Sequence, residues 1–318
     1  MKTMTLQTPL KKSPAAWWKA QMKQAKKMWP LYVFLILPVV FTIIFNYIPI
    51  GGLLIAFKDY KPSMGILESP WNDFKHFKNL FASAGFWNAF RNTLFISLLK
   101  IGLGFPASII LALQFNEIRH QRFKKFGQAV SYLPTFMSWV VLSSIFYDLF
   151  AVDHGVVSQV IQSITGQTID LYTSGPWFIA MLVFTHIWQS VGWNSVVYLA
   201  ALSSVNPEIY EAADIDGAGR FKKAMCISLP SIMPVIVIMF ILGLNSVMNA
   251  GYEQILSFYN PLVMKYSDII DTYVYRMGIQ EAQYAFSTAV GLFKNVISVI
   301  LVFGTNAIVR RFSDNGIF

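Results

Sequence analysis

The sequence predicts an all-α protein that crosses a membrane six times, and three observations lead there. Of its 318 residues 55% are apolar and only 13% charged, with a mean hydropathy of +0.50, whereas soluble domains carry about 25% charged residues. Six apolar runs of bilayer-spanning length follow one another, near 31–57, 91–115, 128–150, 177–202, 229–248 and 288–309. The basic residues collect at the ends of these runs, mostly at alternate ends.

Residues 1–30 form a segment of their own, with seven lysines and no acid. Trp18, Met22, Ala25 and Trp29 recur at spacings of 4, 3 and 4, and Lys19, Lys23 and Lys26 follow one residue on. On a helix this sets an apolar stripe beside a cationic one, which predicts a cytoplasmic interfacial helix at the lipid headgroups. A flexible basic leader is the competing reading. A cleavable signal peptide fits poorly, because the run from Leu31 to Phe57 is too long for its apolar region and lacks a small-residue cleavage site.

Residues 31–318 then form the six-span domain. Pro38, Pro106 and Pro134 fall inside or at the edges of spans, where neighbouring helices can satisfy the freed carbonyls. The third and fifth spans have the least distinct ends. Sixteen basic residues lie at the two termini and in loops 116–127 and 203–228, against six in loops 58–90 and 249–287 and none in 151–176. The positive-inside rule therefore puts both termini in the cytoplasm, as an even span count requires. The net charge of +9 sits at span ends, not on a basic, aromatic-bearing patch, so nucleic acid is not an expected partner. Cys226 is the only cysteine, which excludes an intrachain disulfide framework or a cysteine metal cluster.

Loop 203–228 carries the most information. Asn206-Pro207-Glu208 is a helix start, with Asn as N-cap, Pro at the first position and an acid near the positive dipole end. Glu211, Ala212 and Ala213 continue it with compact side chains, and Gly217 and Gly219 can supply the terminating turn. The alternatives are a helix that projects to meet a partner and a solvated helical linker.

From Asn206 to Pro230 the chain reads NPEIYEAADIDGAGRFKKAMCISLP. This stretch resembles the EAA loop of ABC-importer permeases: Glu211, Ala212, Ala213, Gly217 and the ending Ile227-Ser228-Leu229-Pro230 match, and Asp216 and Ala218 fit the sugar-importer version. Leu37-Pro38, Phe45 to Pro49, Ala56 to Tyr60 and Asn92-Thr93-Leu94 extend the similarity over nearly the whole chain, towards the LplB/YteP-like permeases of complex-oligosaccharide importers. The resemblance implies the type I ABC-importer permease fold in a bacterial cytoplasmic membrane. It also implies a second, homologous permease, two cytoplasmic ATPase subunits and an extracytoplasmic solute-binding protein as partners. In such importers Glu211, Ala212, Ala213, Asp216 and Gly217 would dock on the ATPase. ATP and Mg belong to that subunit, and no G-x-x-x-x-G-K-[ST] occurs here, so the chain is expected to hold no cofactor and to catalyse nothing. Permeases of this kind serve fragments of pectin, alginate, xylan and other polysaccharides, and a basic, Trp-bearing path would tolerate acidic ones.

Polar residues within spans are costly and tend to face a bundle interior or a water-filled route. Candidates for the substrate path are Trp188, Gln189, Trp193, Asn194 and Tyr198 in the fourth span and Asn245 and Asn249 at the end of the fifth. Tyr252 and Glu253 at the start of the next outer loop and Asn295 in the sixth span complete the set. The tryptophans suit stacking on sugar rings; interhelical hydrogen bonds and interfacial aromatics are the competing readings. Lys100 and Lys294 either line a polar route to anionic sugars or pair internally or snorkel. An ion-gradient-driven secondary transporter or channel would favour carboxylates or histidines buried mid-span, whereas here the acids avoid the span centres and His186 stands alone. An integral membrane enzyme finds no H-E-x-x-H or G-x-S-x-G to support it.

Overall fold

The computed structural model describes residues 18, 22, 23, 27–168, 170–244 and 246–312, the last five by backbone alone. The interfacial helix expected within 1–30 lies for the most part outside the described residues. Two units are compact in themselves, Met1–Leu54 and Ile55–Phe318. The described elements are helical, apart from an isolated antiparallel bridge between Lys58 and Trp71.

Helix α1 runs over Trp29–Phe57 with Pro38 inside it. A short α2, Lys75–Ala82, precedes the 34-residue α3, Ala84–Glu117. Ser83 caps α3, its Oγ accepting from the Phe86 N–H at 3.2 Å, and Pro106 sits within α3 without ending it. Helices α4, Gln121–Phe136, and α5, Trp139–Phe150, meet at 103°. After α6, Val156–Thr165, comes the 28-residue α7, Gly175–Leu202. Helix α8, Pro207–Ile215, leads to α9, Arg220–Ser231, and α10, Met233–Leu244, which meet at 66°. Helices α11, Tyr252–Ser257, and α12, Ile270–Tyr275, are short, and α13 covers Tyr284–Phe312.

Among the described residues three helices are long and apolar enough to cross a membrane (α1, α3 and Tyr284–Ala307 of α13), and five spans result if each bent pair is one. At about 1.5 Å per residue α7 is also long enough, but His186, Gln189 and Asn194 dilute its apolar stretch. The expected third and fifth spans, 128–150 and 229–248, are thus broken rather than straight. At the first break Ser138 starts α5 afresh, its Oγ accepting from the Val141 N–H at 3.4 Å, while Thr135 Oγ1 donates to the Gln189 carbonyl at 2.6 Å. At the second, Pro234 lacks the N–H that would bond Pro230 one turn back.

Helix α3 buries polar side chains beside apolar ones such as Phe86, Ile96 and Phe115. Asn92, Thr93, Ser97, Lys100 and Ser108 are buried, while Phe95, Leu98, Leu103 and Ile110 are exposed. Hydrocarbon accepts the apolar side chains, and the polar ones must find partners inside the protein. Helix α3 packs along α7 more extensively than any other described pair does. One core cluster joins Ile96 of α3 to Phe146 of α5, Phe178 and Leu182 of α7, and Ile255 of α11. A second joins Leu80, Phe86 and Ala89 to Ile270, Tyr273 and Val290. A third, at the other end of α3, joins Ala112 and Phe115 to Tyr198, Leu202 and Ile232.

The approach of α4 to α7 depends on Gly192, where an added Cβ would meet the Ser131 carbonyl oxygen at 2.0 Å. A Cβ at Gly243 would meet nothing within 4 Å. Gly192→Ala should therefore force the two helices apart at about 1–3 kcal/mol. Thermal unfolding of the purified chain should show a lower midpoint for Gly192→Ala and little change for Gly243→Ala.

Candidate functional site

The first candidate region is α8. Asn206 Oδ1 accepts from the Glu208 N–H at 3.0 Å, Pro207 takes the first helical position, and Glu208 lies in the first turn. At the other end Gly217 adopts φ +73°. Its N–H donates to the Asp214 carbonyl at 3.1 Å, and that of Ala218 donates to the Ala213 carbonyl at 2.9 Å. That pair of bonds is the Schellman motif, in which glycine is favoured at the left-handed position. Two contacts fasten α8 to α9: Lys223 Nζ lies 2.6 Å from Asp214 Oδ1, and the Tyr210 and Ser228 hydroxyls are hydrogen-bonded at 2.9 Å.

The outward surface of α8 is left open. Glu211, Ala212, Asp216 and Gly217 are exposed and Ala213 is half-buried. The carboxylates of Glu211 and Asp216 have no partner among the described residues. Ile215 and Phe221 are 88% and 81% exposed. Helix α8, the turn after it and the start of α9 thus present small residues, free carboxylates and two large apolar side chains, Ile215 and Phe221, to the outside.

The second region comprises two cavities between the helices, each with polar side chains set among apolar ones. A cavity of about 740 Å³ is lined by Tyr60, Asn249, Tyr252, Tyr275 and Tyr284 and by an ion pair of Asp271 with Lys294. The rings of Tyr60 and Tyr284 meet edge to face at 6.2 Å. A smaller cavity, about 320 Å³, is lined by Lys100, His186, Ser190, Asn194, Tyr198 and Ser246 among others. The segment from Ser246 to Gly251 leaves the helical ladder beside both cavities. Ser97 Oγ donates to the Val247 carbonyl at 2.5 Å and Lys100 Nζ to the Ala250 carbonyl at 2.8 Å. Lys100 Nζ also donates to Gln254 Oε1 at 2.5 Å, and Gln254 Nε2 donates to the Leu182 carbonyl and Thr185 Oγ1, each at 2.8 Å.

Of the expected path residues, the structure brings Asn194 and Tyr198 into the smaller cavity and Asn249 and Tyr252 into the larger. Asn245 lies outside the described residues. Trp188 stacks edge-on against Phe146 at 5.4 Å and Trp193 against Phe136 at 5.9 Å, both exposed on their other faces. Gln189 is half-buried, and Glu253 and Asn295 are exposed; none of these five lines either cavity. Sequence reasoning passed over Gln254 and Asp271. The signal available for Asp271 was an acid beside the apolar Ile269-Ile270, and Gln254, fully buried, gave none.

The profile of the family described as "Binding-protein-dependent transport system inner membrane component" matches residues 104–314. Protein LplB of Bacillus subtilis (strain 168) is 44% identical over 301 residues, covering 95% of this chain and 94% of LplB. The polygalacturonan/rhamnogalacturonan transport system permease protein YteP of the same strain is 38% identical over 288 residues, 91% of this chain and 90% of its own. Among solved structures, a chain of a bacterial ABC transporter involved in the import of the acidic polysaccharide alginate matches with a TM-score of 0.84. It is 35% identical, and the match covers 92% of this chain and 99% of that one.

Removing one member of the Asp271–Lys294 pair would leave the other charge without its partner in a half-buried position. Asp271→Asn should lower stability by about 1–3 kcal/mol, and Asp271→Asn/Lys294→Met should recover most of that loss. Unfolding midpoints of the purified variants check this. A double variant as unstable as the single one would show the two charges to be uncoupled.

Proposed function

The chain belongs to the family of binding-protein-dependent transport system inner membrane components, and on that premise we propose how it does its work. As a permease subunit of an ABC importer for sugars or oligosaccharides, it moves cargo and hydrolyses nothing. We read it as six spans, with α7 as the fourth and each bent pair counted as one, both termini in the cytoplasm and 1–30 as an interfacial segment. Its partners on this reading are a second homologous permease, two ATPase subunits and an extracytoplasmic binding protein, all in a bacterial cytoplasmic membrane.

The observation that carries the reading is α8: a capped helix with an unpartnered acidic and apolar face, in the most information-rich cytoplasmic loop. Glu211, Ala212, Ala213, Asp216 and Gly217 form the surface that enters the ATPase groove. The small side chains let two backbones approach, and Glu211 meets a basic or hydrogen-bonding group there. Because the Asp214–Lys223 pair and the Tyr210–Ser228 bond fasten α8 to α9, closure of the ATPase dimer would move α9 and α10 as a lever. Packed helices respond to such a push by switching between discrete arrangements. Asn194, Tyr198, Asn249 and Tyr252 then belong to the sugar path. The relatives named for polygalacturonan/rhamnogalacturonan and for alginate favour acidic polysaccharide fragments as cargo.

Glu211→Lys in the complete importer should lower uptake and binding-protein-stimulated ATPase activity by about tenfold or more, as loss of a charge-assisted contact of about 1.4 kcal/mol requires, with the permease still folded. Uptake assays in proteoliposomes check this, and wild-type uptake by the variant would sink the docking role.

A further inference from the structure

Lys100 lies midway along α3 and is 4% exposed. An ammonium in such a place is expensive unless it is paired with an opposite charge. Its two acceptors, the Ala250 carbonyl and Gln254 Oε1, are both neutral. The carboxylates among the described residues that form ion pairs do so elsewhere, with Lys75, His76, Arg220, Lys223, Arg276 and Lys294. An ammonium has three N–H donors, so one is left over, and Lys100 lines the cavity of about 320 Å³.

The surroundings hold Lys100 in place. Gln254 is fully buried, and its amide nitrogen is committed to Leu182 and Thr185 of α7, which turns Oε1 towards the lysine. Gly251 leaves room for the ammonium, since a Cβ there would lie 2.7 Å from Nζ. Closing the turn at Ala250 needs only a neutral donor. When protonated, Lys100 carries a charge beyond that task, in contrast to Lys294, which pairs with Asp271. Around the surplus charge stand Ser190, Asn194, Tyr198 and Ser246, which can bond sugar hydroxyls, with Phe105 and Met239 to cover an apolar ring face. The cavity falls at the small end of ligand sites, about 300–1,000 Å³, which suits one sugar unit.

We propose that Lys100 is the residue of this permease that recognises the negative charge of its cargo, receiving a uronate carboxylate of an anionic oligosaccharide in this cavity during passage. This rests on the importer reading and adds the residue by which the membrane path distinguishes acidic from neutral sugars.

The test uses the complete importer in proteoliposomes. The probes are trisaccharides of galacturonate, mannuronate and guluronate and their carboxyl-reduced neutral counterparts. Lys100→Gln and Lys100→Met should lower uptake of the transported uronate by about tenfold relative to its neutral counterpart, while Lys100→Arg retains most of it. Co-purification with the ATPase subunits shows which variants assemble. Should both neutral variants fail to assemble, the ratio in Lys100→Arg and wild type decides, because the proposal requires the uronate to be preferred by both. Equal loss for charged and neutral sugars, unchanged uptake in Lys100→Gln, or no uptake of any uronate would overturn the proposal. The importer reading is separately decided by coupling through Glu211.

Discussion

A buried backbone carbonyl that leaves the helical ladder must find another hydrogen-bond donor, and the segment from Ser246 to Gly251 is where this constraint shapes the molecule. Here the chain turns from α10 into α11 with Ala250 and Gly251 both at positive φ. Its carbonyls are met by side chains of α3, Ser97 and Lys100. Gln254 then ties the same turn to α7. One irregular turn thereby locks three helices together. Because Ser246 lines the smaller cavity and Asn249 the larger, it also forms part of the wall of each. The polar face of α3 that would be anomalous in a soluble protein is the means by which the turn exists.

The same economy of fixed points appears at α8. Its N-cap, its Schellman C-terminus and its two tethers to 220–231 fix both of its ends and its attachment to α9. The bend of 66° between α9 and α10 lies directly downstream. Helix α8 and the bent pair α9–α10 thus follow one another in a connected series, and the pair leads into the Ser246–Gly251 turn beside the cavities.

Much of this was legible in the sequence, for physical reasons that also mark where it stopped. Apolar runs report spans because hydrocarbon demands them, and Asn206, Pro207 and Gly217 report the ends of α8 because each supplies a local backbone need. The breaks were less readable. Pro134, Pro230 and Pro234 mark weak points in the ladder, but the bends of 103° and 66° depend on what packs against them. Contacts such as Lys100 with Gln254, 154 residues apart, leave no periodic trace. Nor does a single polar residue in a span say which side it faces: Asn194 and Tyr198 line a cavity, while Trp188 and Trp193 on the same helix do not.

If α8 seats in a separate ATPase subunit and is moved by it, the two must lie within cross-linking reach of each other. Ala212→Cys, in a chain whose exposed Cys226 is replaced by Ser, places one thiol on the docking face. In the assembled importer a short bifunctional reagent should join position 212 to the ATPase subunit, with a yield that changes when nucleotide closes the ATPase dimer. No link to that subunit in either nucleotide state, in an assembly that still transports, would contradict the seating of α8.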